Sequence, residues 1–248
     1  MLVAASTDCF PEIPLPEVFE KLLDLEYSAV EIAIREDGQL KPTDMLADVE
    51  RCVGLCRDTH RLEITGYDLR IDATGDAYYE QFAACCRLAK ATKVASITVP
   101  SAVHGTPFNE EVEHLRRLVA IATLESACVS IRSELGRLSE DPDTVVVLCD
   151  NVKGLGVTLD PSHYIAGPHA QRGFEKLDKY TYNVHLRDSD KDNLQTRIGQ
   201  GTVDYGKIIS GLEKVNYDRG LVVMLNRLPD IDHDAEMRKL RLLLESLL

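Results

Sequence analysis

The sequence predicts an α/β protein folded as a single (β/α)8 barrel, or TIM barrel, over residues 1–248. Strand-like and helix-like runs alternate eight times along the chain, and the loops between them are short. The length of 248 residues also matches the roughly 250 of one such barrel. An open doubly wound sheet is the main alternative, but residues 6–10 lack the Gly-rich phosphate loop that usually follows its first strand.

The eight strands are predicted from apolar and polar alternation, because successive side chains of a strand point to opposite faces. In chain order they cover residues 2–6, 29–34, 61–66, 94–100, 127–134, 154–160, 180–186 and 220–226. The segments between them carry apolar residues at helical spacing, as in 108–124. Helix-start signals stand at Pro16, at Pro42 and at Pro142.

Composition and charge narrow the class of protein. Hydrophobic residues make up 44% of the chain and charged residues 28%, as in ordinary globular domains. The formal net charge of −13, without a Lys/Arg cluster, disfavours nucleic acid and anionic lipid surfaces as partners. No apolar run approaches the roughly 20 residues of a membrane span, so no membrane association is expected.

The beginning of the chain and its cysteines predict a cytoplasmic protein. Residues 1–6 have no basic start and too short an apolar stretch for a signal peptide. The seven cysteines are odd in number and show no C-x-x-C spacing. We therefore expect small buried thiols in a reducing compartment rather than disulfides or a zinc site.

Two polar segments close consecutive strands, namely Asp160-Pro161-Ser162-His163 and His185-Leu186-Arg187-Asp188. In the first strand Val157 and Leu159 share the apolar side, which leaves Asp160 on the polar side. The same parity places His185 on the polar side of the next strand. The carboxyl ends of parallel strands are where such barrels carry their chemistry. A purely structural alternative is that Asp160 and His185 only satisfy each other.

Strand parity adds neighbours to these two residues. Arg132 and Glu134 face inward on strand five, and Asn226 faces inward on strand eight. Four neighbouring strands are thus expected to present Arg132, Asp160, His185 and Asn226 at similar heights. Polar side chains that converge in a barrel mouth indicate a binding site.

The chain resembles the xylose isomerase-like superfamily of sugar phosphate isomerases and epimerases, which also includes the apurinic endonucleases. Leu159-Asp160-Pro161-Ser162-His163 resembles its sixth-strand D-x-x-H motif, and Val184-His185-Leu186-Arg187-Asp188 its seventh-strand H-x-K/R-D motif. Residues 136–144 resemble the turn after its fifth strand, and residues 198–205 its G-x-G-x-x-D-[FY] loop.

The resemblance implies one divalent metal at the barrel mouth, held by Glu, Asp, His and Glu from strands five to eight. In the family's epimerases the two Glu residues also move the proton beside the carbonyl group. Here Asp160 and His185 are kept, but the two Glu positions fall on Arg132 and Asn226. Neither replaces a carboxylate as a proton shuttle, because a guanidinium stays protonated and an amide does not titrate.

Two interpretations of this site remain open. In the favoured one no metal binds, and Arg132 places its cation near the metal position and pairs with Asp160. In the other, one Mn²⁺ or Zn²⁺ lies higher, on Glu134, Asp160, His163 and His185, a set of N and O donors that suits either ion.

Three further residues are candidates for substrate binding. Glu31 is a charged residue in an apolar strand, where the family often has an inward Glu. Asp188 belongs to the seventh-strand motif, and Arg197 precedes the Gly-flanked loop in the manner of a basic residue that anchors substrate. The structural alternatives are a partner for an inward Arg at Glu31 and a solvated surface Arg at position 197.

The resemblance implies a sugar phosphate isomerase or epimerase-like protein that acts on or binds a small polyhydroxylated carbonyl compound. The first hypothesis is an enzyme with non-standard metal coordination, and the alternative is a non-catalytic carbohydrate-binding barrel. An apurinic endonuclease-like hydrolase fits less well, since that branch needs three metals. A carbohydrate-like small molecule is thus the expected partner, and the chain is compatible with an oligomer.

Overall fold

Eight parallel strands close into one barrel in a computed structural model that describes residues 1–248. The strands follow one another around the barrel in chain order, and β8 pairs with β1 to close it. They are β1 Leu2–Ser6, β2 Ala29–Arg35, β3 Glu63–Arg70, β4 Ser96–Pro100, β5 Cys128–Arg132, β6 Leu155–Leu159, β7 Thr181–Leu186 and β8 Gly220–Val223. The predicted (β/α)8 barrel is confirmed.

Helices connect the strands on the outside of the barrel. They are α1 Leu15–Asp24, α2 Pro42–Ala47, α3 Val49–Arg57, α4 Asp76–Thr92, α5 Phe108–Leu124, α6 Pro142–Asn151, α7 Pro161–Ile165, α8 Tyr205–Lys214 and α9 His233–Glu245. Side chains cap several helix starts, as where Asp232 accepts a hydrogen bond from the Ala235 N–H at the start of α9. None of the nine helices has the length and apolar character needed to cross a membrane.

The hydrophobic core lies between the strands and the surrounding helices. A cluster of 60 buried residues, among them Ile32, Ile97 and Val157, fills this layer. The barrel interior differs, because it holds small and polar side chains. Ala4, Ala29 and Val222 pack together as a separate buried cluster. The hydroxyl groups of Thr98, Ser130 and Thr158 form a hydrogen-bonded chain with two oxygen–oxygen distances of 2.7 Å.

The strand boundaries differ from the predicted ones where the site is built. Strand β3 runs to Arg70 rather than ending at residue 66. Its additional residues continue the alternation, since Tyr67 and Leu69 join the hydrophobic core while Asp68 is buried apart from it. Strand β8 ends at Val223, and Asn226 lies three residues beyond it.

All seven cysteines are free, and every one except the half-buried Cys128 is buried. The predicted burial of the thiols holds for six of the seven. Burial raises the pKa of the Cys56 thiol to about 12, which keeps it protonated at neutral pH.

Candidate functional site

Arg132, the last residue of β5, forms a bidentate ion pair with Asp68 of β3. Its Nη1 donates to Oδ1 at 2.8 Å and to Oδ2 at 2.6 Å. Arg35, at the end of β2, donates to the same Oδ2 at 2.8 Å. Burial raises the pKa of Asp68, but the guanidinium groups of Arg132 and Arg35 reverse this and lower it to about 2.

The expected pair between Arg132 and Asp160 is not formed, because Asp160 has a different arginine partner. Arg187, just after β7, donates from Nη2 to Oδ2 of Asp160 at 2.8 Å. The other carboxylate oxygen accepts the backbone N–H of Ser162 at 3.1 Å and the Ser162 hydroxyl. Asp160 is fully buried, and although burial raises its pKa, Arg187 and His163 lower it below the ordinary range.

His185 pairs with Glu31 across the barrel, with 2.7 Å between Nε2 and Oε2. The Asn183 side-chain amide donates to Oε1 of the same carboxylate at 2.5 Å. Both His185 and Glu31 are completely buried. Burial lowers the pKa of His185, but the Glu31 carboxylate outweighs it and raises that pKa above the ordinary value. Asp160 and His185 therefore lie at neighbouring strand ends, but each forms its ion pair with another residue and they are not hydrogen-bonded to each other.

Glu134 and His163 do not join these residues in a four-ligand site. Glu134 contacts three guanidinium groups, those of Arg70 at 3.2 Å, Arg137 at 3.2 Å and Arg132 at 3.4 Å. His163 accepts the Leu135 N–H at Nδ1, and its Nε2 lies 3.7 Å from Asp160. Burial raises the pKa of Glu134, but Arg132 and the other guanidinium groups lower it overall.

Asn226 does not converge with the other three predicted residues. Its side chain is exposed, and its backbone N–H and carbonyl form two hydrogen bonds with the Gln195 side chain, at 2.8 and 2.7 Å. The physical reason is that β8 ends at Val223, so strand parity no longer fixes the orientation of residue 226.

Asp188 organises the loop that follows β7. One carboxylate oxygen accepts the backbone N–H groups of Gly199 at 2.7 Å and Gly201 at 3.0 Å. The other accepts the Ser189 N–H at 3.0 Å. These bonds hold the Gly-flanked segment against the strand end. Arg197 projects beside this segment, with a half-exposed side chain 4.0 Å from Glu236.

The donor set at the mouth does not fit the family's divalent metal. No three His, Cys, Asp or Glu side chains are grouped so that they could hold one ion. The buried atoms at the mouth that lack a hydrogen bond include Nδ1 of His185, which could act as one ligand, and three guanidinium nitrogens, Nη1 of Arg35, Nη2 of Arg132 and Nε of Arg187. The three guanidinium nitrogens are hydrogen-bond donors on cations, whereas a metal ion needs several acceptor oxygen or nitrogen atoms.

Sequence reasoning missed Asp68 and Arg35 and did not assign a role to Arg187. The signal for Asp68 was present, because Tyr67 and Leu69 extend the alternation of β3 past residue 66. Arg35 ends β2 one residue beyond the predicted strand. Arg187 stood inside the seventh-strand motif, but sequence does not reveal that it pairs with Asp160 on the neighbouring strand.

The fold is a closed parallel (β/α)8 barrel with buried ion pairs at the carboxyl ends of its strands. Residues 19–242 match the family model described as "Xylose isomerase-like TIM barrel". Because the match spans most of the chain, the protein belongs to the xylose isomerase-like TIM-barrel family. A search of curated proteins gave no match.

Several solved structures are similar over nearly the whole chain. Apo 3-keto-D-glucoside 4-epimerase from E. coli is 16% identical with a TM-score of 0.75, and the match covers 99% of both chains. A probable 3-DHS dehydratase from Bacillus anthracis is 16% identical with a TM-score of 0.74, covering 97% of this chain and 98% of that one. A putative xylose isomerase from Rhodospirillum rubrum is 12% identical with a TM-score of 0.79, covering 99% of both. At these identities the likeness establishes the fold.

Proposed function

We propose that this protein binds a small polyhydroxylated, carbohydrate-like carbonyl compound at the carboxyl-terminal face of the barrel, without a divalent metal. The observation that carries the proposal is the buried pair of Arg132 with Asp68. A guanidinium group stands where the family's metal site needs a carboxylate, and it is already bound to an acid from β3. The family places sugars at this face, and the 3-keto-D-glucoside epimerase has the same fold.

Hydrogen bonds rather than coordination would hold such a ligand. Arginine N–H groups and hydroxyl groups at the strand ends are donors to sugar oxygens, and carboxylates are acceptors for sugar hydroxyls. The fixed ion pairs would keep these groups oriented before the ligand arrives. That arrangement reduces the cost of ordering side chains on binding.

Binding without turnover is favoured over the family's proton transfer. The two positions that carry the proton-transferring Glu residues hold Arg132 and an exposed Asn226. An acid–base pair is present in Glu31 and His185, and it favours a second candidate, an isomerase-type enzyme that uses this pair. Both side chains are completely buried, however, and a proton-transfer group must reach the reacting atom.

An apurinic endonuclease-like activity has less support. That branch needs three metals, and here no group of three His, Cys, Asp or Glu side chains could hold even one ion. The net charge of −13 also opposes a DNA backbone.

Saturation-transfer NMR and calorimetry with D-fructose, D-ribulose, D-glucose and their phosphates test the proposal. We expect binding of at least one sugar with the same affinity in EDTA and in Mn²⁺. Absence of binding in every case, or binding only with Mn²⁺, would contradict it. Solvent deuterium exchange at the carbon beside the carbonyl group of the bound ketose separates the two candidates. Enzymatic exchange, lost in Glu31→Gln, would show the second candidate to be correct.

A further inference from the structure

A cavity of about 460 Å³ opens at the carboxyl-terminal face, to one side of the barrel centre. It lies beyond the ends of β3 and β4 and is bordered by the first turns of α4 and α5, with Arg70, Tyr78, Pro100 and His114 among its lining residues. Small-molecule sites commonly have about 300–1,000 Å³. None of the fully buried residues of the centre, Glu31, Asp68, Asp160 or His185, lines it.

We propose that this off-centre cavity is the ligand site and that its ligand is an uncharged sugar of monosaccharide size. The inference rests on the proposed function for the class of ligand, and it adds the place of binding and the charge. Three observations support it: the residues at the barrel centre are fully buried, the cavity lining carries both signs of charge, and several polar atoms of the lining have no hydrogen-bond partner.

Three polar side chains around the cavity each have one atom fixed by a hydrogen bond and another atom without a hydrogen-bond partner. His114 uses Nδ1 to bond the Tyr79 hydroxyl at 2.9 Å, which leaves Nε2 free. The buried Glu111 uses Oε1 to accept the Ala102 N–H at 2.9 Å, which leaves Oε2 free. Arg137 donates from Nη1 to the Ser101 carbonyl at 2.6 Å, which leaves Nη2 free. Anchored groups with one free atom hold a ligand at small entropic cost.

The lining carries both signs of charge. Arg70 and Arg137 supply two cations, and Asp72, Glu110 and Glu111 supply acidic groups. Both guanidinium groups are also partly neutralised by Glu134, at 3.2 Å from each. A phosphate or carboxylate would meet the acids, and an ammonium group would meet the arginines. Sugar hydroxyls both donate and accept, so an uncharged sugar matches this mixture.

Aromatic rings give the cavity a rigid wall. Tyr78 packs edge-on against His114, with ring centroids 5.2 Å apart, and against Tyr79 at 5.5 Å. The Arg117 guanidinium stacks on Tyr79 from outside, 3.6 Å from the ring centroid. Such rings present apolar area and a polar tip with few rotatable bonds, which suits the C–H and O–H faces of a sugar.

Glu134 separates this cavity from the closed centre. It contacts Arg70 and Arg137 on the cavity side and Arg132 on the other. Arg132 of the centre therefore acts on the cavity only through Glu134, which holds Arg70 and Arg137 in place. The ligand itself would contact the residues that line the cavity.

Binding of D-glucose, D-fructose and D-ribulose is measured by saturation-transfer NMR and calorimetry in the wild type, Tyr78→Phe and His114→Ala. Tyr180→Phe is the matched control, because its hydroxyl bonds Asp150, outside the cavity. Loss of the ligand hydrogen bond of Nε2 should raise Kd about fivefold in His114→Ala. Tyr78→Phe, which removes the hydroxyl of a lining ring, should also raise Kd, and the control should keep wild-type affinity. Circular dichroism verifies that each variant is folded.

The outcomes separate the two proposals. Failure of all sugars, charged or neutral, to bind would overturn the proposed function and this inference together. Sugar binding that is unchanged in both Tyr78→Phe and His114→Ala would overturn only the location. Glucose 6-phosphate or gluconate binding more tightly than glucose would overturn the assignment of an uncharged ligand.

Discussion

Arg132 and Asp68 lie 64 residues apart in sequence, yet two hydrogen bonds of 2.8 and 2.6 Å join them inside the barrel mouth. The motif resemblance predicts that the arginine occupies the family's strand-five Glu position. Its partner comes from β3, which supplies no ligand in the family's metal site. In this pair the positive charge at the mouth belongs to the protein itself. A second buried arginine–aspartate pair, Arg187 with Asp160, joins the ends of β7 and β6.

Removal of the Arg132 guanidinium should destabilise the protein. In Arg132→Ala the buried Asp68 keeps only Arg35, so we expect a loss of about 2–4 kcal/mol in the free energy of unfolding. Urea denaturation measures it. The control is Arg70→Ala, whose half-exposed pair with Glu134 should contribute less than about 1 kcal/mol. Equal losses in the two variants would show that the buried pair has no special role.

Asp68 should contribute to stability against acid. Its pKa is about 2 in the folded protein, below the roughly 3.9 of an unfolded Asp. The unfolded state therefore binds the proton first, and this stabilisation is present above about pH 4 and lost as the pH falls towards 2. Asp68→Asn should flatten this part of the stability–pH curve, measured by urea denaturation, whereas the exposed Asp37→Asn should not. An unchanged curve in Asp68→Asn would contradict the prediction.

His185 should show the opposite dependence on pH. Its pKa is raised by Glu31 despite burial, so its stabilisation is full below the roughly 6.5 of an unfolded His. That stabilisation is lost as the pH rises through the folded pKa. NMR titration of the imidazole should give a midpoint above 6.5 in the wild type and a lower one in Glu31→Gln. A wild-type midpoint below 6.5 would refute the charged pair.

Gly201 should be required for the loop that Asp188 organises. A Cβ atom there would lie 2.1 Å from Oδ1 of Asp188 and 2.4 Å from the Ser189 carbonyl oxygen. We expect Gly201→Ala to cost about 1–3 kcal/mol, because the crowded atoms must move. Gly206→Ala, in α8, is the matched control, since its Cβ would lie at an ordinary contact distance of 3.6 Å from Oδ1 of Asp204. Thermal unfolding that is equally affected in both would contradict the assigned contact.

The barrel and part of its site could be predicted from sequence because both depend on local periodicity. Alternation over six or seven residues placed Asp160 and His185 at neighbouring strand ends. The partners of these residues could not be predicted. Glu31 is 154 residues from His185, and only the closure of the barrel brings them together.

The positions at which the strands end also limited what could be predicted about the site. Parity placed Asn226 inward only on the assumption that β8 continued to residue 226, but it stops at Val223. Asp68 was missed for the opposite reason, because β3 extends four residues further than residue 66. Whether Arg132 pairs with Asp68 or with Asp160 depends on how side chains pack across the barrel mouth. The alternation of side chains along a strand shows which face a residue lies on, but not which partner it meets there.

Calorimetric titration of Mn²⁺ and of Zn²⁺ into chelator-treated protein tests most directly whether the protein's own arginines replace the metal. The account predicts no stoichiometric binding to the wild type, because Arg132 and Arg187 occupy the carboxylates Asp68 and Asp160. Binding of one equivalent with a Kd of about 1 µM or tighter, lost in both Asp160→Asn and His185→Gln, would contradict it.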